Sequence, residues 1–201
     1  AKMTSLTIAS GSTYDVAGYV FNFTVASTAV ANSGTFRIKG KETLTNVSNL
    51  GTSAGTVEYY GYNVVENITV KDFGVGTDYY SLTINDANVN KATYVLGNNL
   101  VLAGDLTATS STFDVNDYTL SINGITTING GTMKTGTNTV TFGDAAGDTV
   151  TISSGELQIE SDNTTVDIVK TAGTWTNSGG TITYNAATVI STSLLSALSP
   201  Y

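Results

Sequence analysis

One feature constrains this chain more than any other: it resembles itself, block by block and in the same order. Ser12-Thr13-Tyr14-Asp15-Val16-Ala17-Gly18-Tyr19 answers Ser111-Thr112-Phe113-Asp114-Val115-Asn116-Asp117-Tyr118, with five identities and an aromatic residue at both third positions. Downstream, Gly34-Thr35-Phe36-Arg37 matches Gly131-Thr132-Met133-Lys134, and Gly179 to Tyr184 carries a looser copy. Thr56-Val57-Glu58-Tyr59-Tyr60-Gly61 then pairs with Thr139-Val140-Thr141-Phe142-Gly143. Self-similarity of this kind marks an architecture of stacked units, each burying a face against its neighbours.

The units themselves read as strands. Leu6-Thr7-Ile8, Leu82-Thr83-Ile84, Leu100-Val101-Leu102, Val150-Thr151-Ile152 and Leu157-Gln158-Ile159 place apolar residues two apart. That period sends one face inward and the other outward. Ser10-Gly11, Ser33-Gly34, Asn123-Gly124, Gly130-Gly131, Gly147-Asp148 and Gly179-Gly180 punctuate the runs with turn residues. The only proline, Pro200, stands outside every strand pattern. The fold class is therefore all-β, and its turn spacing suits a β-sandwich of pilin-like type or a β-solenoid. Ordered recurrence and short apolar triplets favour the solenoid, a parallel β-helix. Coils of about 20 to 25 residues give roughly eight to ten coils and, at ~4.8 Å per strand, a rod about 40–45 Å long. The expected organisation is one domain over residues 1–191, duplicated internally as approximately 4–95 and 96–185. Residues 192–201 would form a C-terminal cap or an intersubunit segment.

The runs "SGSTYDVAGY", "NSGTFRIKG", "GTVEYYG", "LVLAGDLTATSSTFDVNDYTLSING" and "TWTNSGGTITY" carry a resemblance. Together they resemble repetitive parallel β-helix surface proteins of bacteria and archaea, whose units read approximately "GNLTIxSGTFDxNGYTLTVxG". The similarity spans most of residues 4 to 185. It implies a β-helix exported to the cell surface, and it implies no activity.

Composition narrows the chemistry. Eight Lys and Arg stand against 16 Asp and Glu, a net charge of −8. No basic footprint exists for nucleic acid. No run of 18 apolar residues predicts a membrane span. Cysteine and histidine are both absent, which removes disulfides, thiolate metal sites and the commonest general base. The expectation is a protein without enzymatic activity and without a cofactor. Ala1 follows no signal-like segment, so a secretion signal is expected to have been removed and the chain to work outside the cell.

Several side chains remain as candidates for function. Tyr59, Tyr60 and Tyr62, with Tyr79 and Tyr80, make the densest aromatic region, suited to a glycan or a protein partner. The Asp15 to Tyr19 and Asp114 to Tyr118 steps read first as turns, with Tyr stacking on the next coil. Carboxylates of a polysaccharide-cleaving β-helix would be sought at Glu156, Glu160 and Asp162, with Asp144 and Asp148 nearby. Asp144 to Asp148 and Glu160 to Asn163 are also the densest oxygen clusters for calcium, although neither matches an EF-hand or the glycine-rich nonapeptide. Asn-x-Ser/Thr sequons stand at Asn22, Asn46, Asn67 and Asn163.

A solenoid has two ends, and each end strand leaves backbone groups unpaired unless something covers it. Leu6 and Ile8 run straight into a strand pattern, and Leu194, Leu195 and Leu198 form the one helix-like stretch, so these residues are the candidate interface. The function expected is an extracellular structural protein whose copies join end to end into a surface filament or layer. The alternative is a non-catalytic adhesin or glycan-binding module of a longer surface protein, with cell-surface glycans as partners.

Overall fold

The computed structural model describes residues 2–74, 76–160 and 168–185; the stretch containing Leu194, Leu195 and Leu198, and the sequon at Asn163, lie outside them. The described residues contain no helix, and every named strand pair is parallel. The chain is a β-solenoid of about seven turns. Its longest sheet, here called the long face, stacks eight strands: Thr13–Asp15, Thr35–Ile38, Thr56–Tyr59, Ser81–Ile84, Leu106–Ala108, Thr126–Ile128, Thr149–Ile152 and Thr174–Asn177. A middle face stacks six strands from Asn67–Thr69 to Thr181–Tyr184, and a short face four from Leu100–Leu102 to Ile168–Lys170. Coil lengths agree with the expected 20 to 25 residues. The turn count is about seven rather than eight to ten, the long face spanning Thr13 to Asn177 among the described residues. Seven strand spacings make that ladder about 34 Å long.

Inside, the register stacks like on like. On the long face Phe36, Val57, Leu82, Leu106, Thr126, Val150 and Trp175 form one column, and Ile38, Tyr59, Ile84, Ala108, Ile128 and Ile152 a second. Ile68, Tyr94, Phe113, Met133 and Leu157 run up the middle face, and Leu102, Ile122 and Phe142 up the short one. These residues are buried throughout. A short triplet suffices per strand because the coil is narrow: each strand needs two inward residues, and alternation supplies them.

The paired octets prove to be the same turn in different places. Asp15 accepts a hydrogen bond from the Ala17 N–H and Asp114 one from the Asn116 N–H, both at 2.8 Å. Ala17 and Asn116 are both left-handed, with φ of 54° and 57°, and Val16 and Val115 are both buried. Asp therefore shapes a corner after the strand, as its side chain does in an Asx turn. Yet Thr13–Asp15 lies on the long face and Thr112–Asp114 on the middle face. Gly34 to Arg37 and Gly131 to Lys134 divide in the same way. Tyr19 does not stack on a neighbouring coil; it is 76% exposed.

Candidate functional site

Outward-facing positions of the long face change character along its length. The register column reads Asp15, Arg37, Glu58, then Thr83, Thr107, Thr127, Thr151 and Thr176. A pleated outer surface needs no more than such threonines, which suit a strand and pack against one another. The first three turns carry long charged and aromatic side chains instead.

Arg37 joins them. Its Nε donates to Glu58 at 2.8 Å, and Nη1 lies 3.6 Å from Asp15. The guanidinium carbon sits 4.3 Å from the centroid of the Tyr60 ring. The Tyr60 hydroxyl donates to Asp15 at 2.9 Å. Partial burial and then that carboxylate push the Tyr60 phenol up to about 12. On the other side of Glu58, Asn85 donates to its carboxylate at 2.8 Å. Lys39 lies between two rings, its ammonium 5.9 Å from the centroid of Tyr60 and 5.3 Å from that of Tyr62.

A buried carboxylate fixes the backbone beneath this surface. Glu42 accepts hydrogen bonds from the backbone N–H groups of Gly18, Lys39 and Gly40 at 2.7 to 3.0 Å. Only 2% of Glu42 is exposed. Three charge-assisted bonds offset the cost of removing the carboxylate from water. They also bind the loop of the first turn to the corner of the second, which holds Lys39 where it meets both rings.

Not every tyrosine of the sequence cluster belongs to the surface. Tyr59 is inside the core, fully buried, which corrects its assignment as an interface residue; strand alternation sends Tyr59 inward where it sends Glu58 and Tyr60 outward. The Lys71 N–H donates to the Tyr59 hydroxyl, which meets the Tyr79 hydroxyl at 3.1 Å, and Tyr79 donates on to the Lys71 carbonyl. This ring of bonds lets two phenols lie in the core without orphaned oxygens. Burial raises both phenols well above their ordinary value. Tyr94 is held similarly by Asp86 and the Lys39 carbonyl, at 3.3 and 3.5 Å.

The other candidates fall apart in space. Among the described residues no three Asp or Glu side chains gather as a metal cluster. Asp148 instead accepts the N–H groups of Asp144 and Ala145, closing a turn. Glu156 is hydrogen-bonded by Thr183 and Gln158, which hold its carboxyl below the usual range. Asp162 lies outside the described residues. Of the sequons, Asn46 donates to the Phe23 carbonyl and to Asn22 itself, whereas Asn67 and Thr69 are both exposed on the outermost strand of the middle face.

The ends of the ladder are the second feature. Thr13–Asp15 and Thr174–Asn177 are its outermost strands, each paired on one side only among the described residues. Ile8 is buried although its strand, Thr7–Ile8, is also outermost, and Leu6 is half-buried beside it. The Ser12 carbonyl accepts from Thr35, and the Thr174 and Ser178 N–H groups donate to Asp148 and Ile152. Alternation then turns the backbone groups of Thr13 and Asp15 at one end, and of Trp175 and Asn177 at the other, to the open sides. Comparison with protein-family models, with curated proteins and with solved structures gives no match.

Proposed function

We propose that this chain is an extracellular structural subunit whose copies add end to end, the strand Thr13–Asp15 of one copy continuing the long face beyond Thr174–Asn177 of the next. The observation that carries the proposal is that the two end strands of a single eight-strand parallel ladder are each paired on one side only among the described residues. Both face their open side with complementary donors and acceptors, and both continue the same direction, so one copy reproduces for the next the pairing already present inside. In register, Tyr14 would lie over Trp175, extending an aromatic column that begins with Tyr14 stacked on Phe36 at 5.8 Å. A contact of this head-to-tail kind does not close, and it generates a filament.

Charge supports the same polarity. Residues 1–95 hold six Lys and Arg against seven Asp and Glu, while residues 96–201 hold two against nine. Joining two acidic C-terminal ends is therefore repulsive, and joining a C-terminal end to the nearly neutral N-terminal end is much less so. The Thr-rich outer surface suits an exposed rod. Thr13→Pro tests the mechanism. It removes an N–H that faces the open side while leaving the bonds to Thr35 intact. The variant is expected to remain folded and monomeric under conditions where the wild type forms filaments by electron microscopy. Filaments of normal length from Thr13→Pro would contradict pairing through this edge.

A further inference from the structure

We propose that the outer surface of the first three turns, around Tyr60, Tyr62 and Lys39, binds a neutral polysaccharide. Tyr60, Tyr62 and Lys39 lie off the outermost strands, and of the groups around them only Asp15 stands on one, so the inference is separable from end-to-end assembly.

The later turns show what the long face requires for folding alone: one threonine after another, from Thr83 to Thr176. Two half-exposed tyrosines and a lysine exceed that requirement. Their arrangement supplies the groups that a sugar chain needs. Tyr62 is half-exposed and is the ring on which the apolar face of a pyranose packs, whereas Tyr60 carries the Arg37 guanidinium over its ring. Asp15, Glu58 and Asn85 supply acceptors and an amide around them. The Lys39 ammonium makes no ion pair among the described residues, so its donors are available to hydroxyls. The Tyr62 hydroxyl is likewise free of hydrogen-bond partners there, whereas the Tyr60 hydroxyl is committed to Asp15.

The charge balance selects the ligand. Arg37 is already neutralised by Glu58 and Asp15, and Lys41 is paired with Glu66. Buried Glu42 lies beneath Lys39, and the chain as a whole carries −8. An acidic polymer gains one unpaired ammonium against that field, so it is disfavoured, whereas uncharged hydroxyls use donors and acceptors equally.

The test is biolayer interferometry on the full chain, immobilised at low density, with soluble galactomannan, mixed-linkage β-glucan and polygalacturonate as probes. At least one neutral polymer is expected to bind and polygalacturonate is not. Tyr62→Ala should weaken the neutral ligand about tenfold, and Lys39→Gln about threefold. Tyr62→Phe, which keeps the ring, should retain most of the affinity. Thermal melting by circular dichroism establishes that each variant is folded, and Lys39→Gln alone decides the matter if Tyr62→Ala is not. Absence of binding to both neutral polymers, binding to polygalacturonate alone, or affinity unchanged in folded Tyr62→Ala and Lys39→Gln would each overturn the proposal. Filament formation by Tyr62→Ala, scored in electron micrographs, separates this result from the assembly mechanism.

Discussion

The first three turns and the last four solve the same problem with different side chains. At the N-terminal end the strands are short, several having only two residues, and small sheets of two strands flank the long face. Cohesion there depends on specific polar ties: Glu42 beneath Lys39, Arg37 between Asp15 and Glu58, Tyr59 and Tyr79 closing on Lys71. Farther along, three faces repeat with near-constant register, and stacked apolar columns with outward threonines are enough. Regularity leaves little to distinguish one turn from another. The irregular end is consequently where long charged and aromatic side chains stand on the outer surface, and the regular end is where threonines cover it.

Substitutions can break this contrast. The largest effect is expected where the regular stack has no slack. Gly136 has φ of 68°, and a Cβ there would come 1.4 Å from the Asn116 carbonyl oxygen of the preceding turn. Gly136→Ala should cost about 3 kcal/mol or more in urea denaturation. Gly11 has a similar φ of 76° but open space around it, so Gly11→Ala should cost only about 1 kcal/mol. Equal costs would show that backbone strain, not turn-to-turn contact, sets both.

Glu42→Ala comes next, at about 2–3 kcal/mol, since three backbone N–H groups lose their acceptor. Glu156→Ala, whose partners are half-exposed side chains, should change the midpoint far less. Alkaline pH provides a third probe. Tyr59, Tyr79, Tyr94 and Tyr60 are all held above the ordinary tyrosine value, so the unfolded chain releases these protons first, near pH 10. Their contribution is complete below that pH and is lost as pH rises towards the folded values. Melting temperature should therefore fall steeply above pH 10, and Tyr79→Phe should flatten the fall. A pH-independent midpoint from 10 to 12 would contradict the buried hydroxyl network. The smallest effect has the opposite sign. Thr126 is fully buried in an apolar column, and its hydroxyl has no partner among the described residues, so Thr126→Val should stabilise by about 1 kcal/mol.

Much of the fold was legible because a narrow solenoid depends on local pattern. Alternation at Leu82-Thr83-Ile84 or Val150-Thr151-Ile152 gives inward and outward faces directly, and the octets mark their Asx corners. What alternation does not encode is which face a strand joins, since that depends on loop length. Thr13–Asp15 and Thr112–Asp114 look alike and stack on different sheets for that reason. Within the aromatic cluster, period two already separates Tyr59 from Tyr60, but composition alone groups them. Glu42 gave no signal at all. Its role arises from three N–H groups of two turns meeting around it, and no spacing in the chain announces that meeting.

The most direct test of end-to-end assembly is electron microscopy with fibre diffraction on the purified chain near neutral pH. Continuation of the long face predicts unbranched filaments one solenoid wide, with a meridional reflection near ~4.8 Å because the strands lie across the axis. Monodisperse particles about one subunit long at every concentration, or filaments whose ~4.8 Å repeat runs perpendicular to their axis, would contradict it.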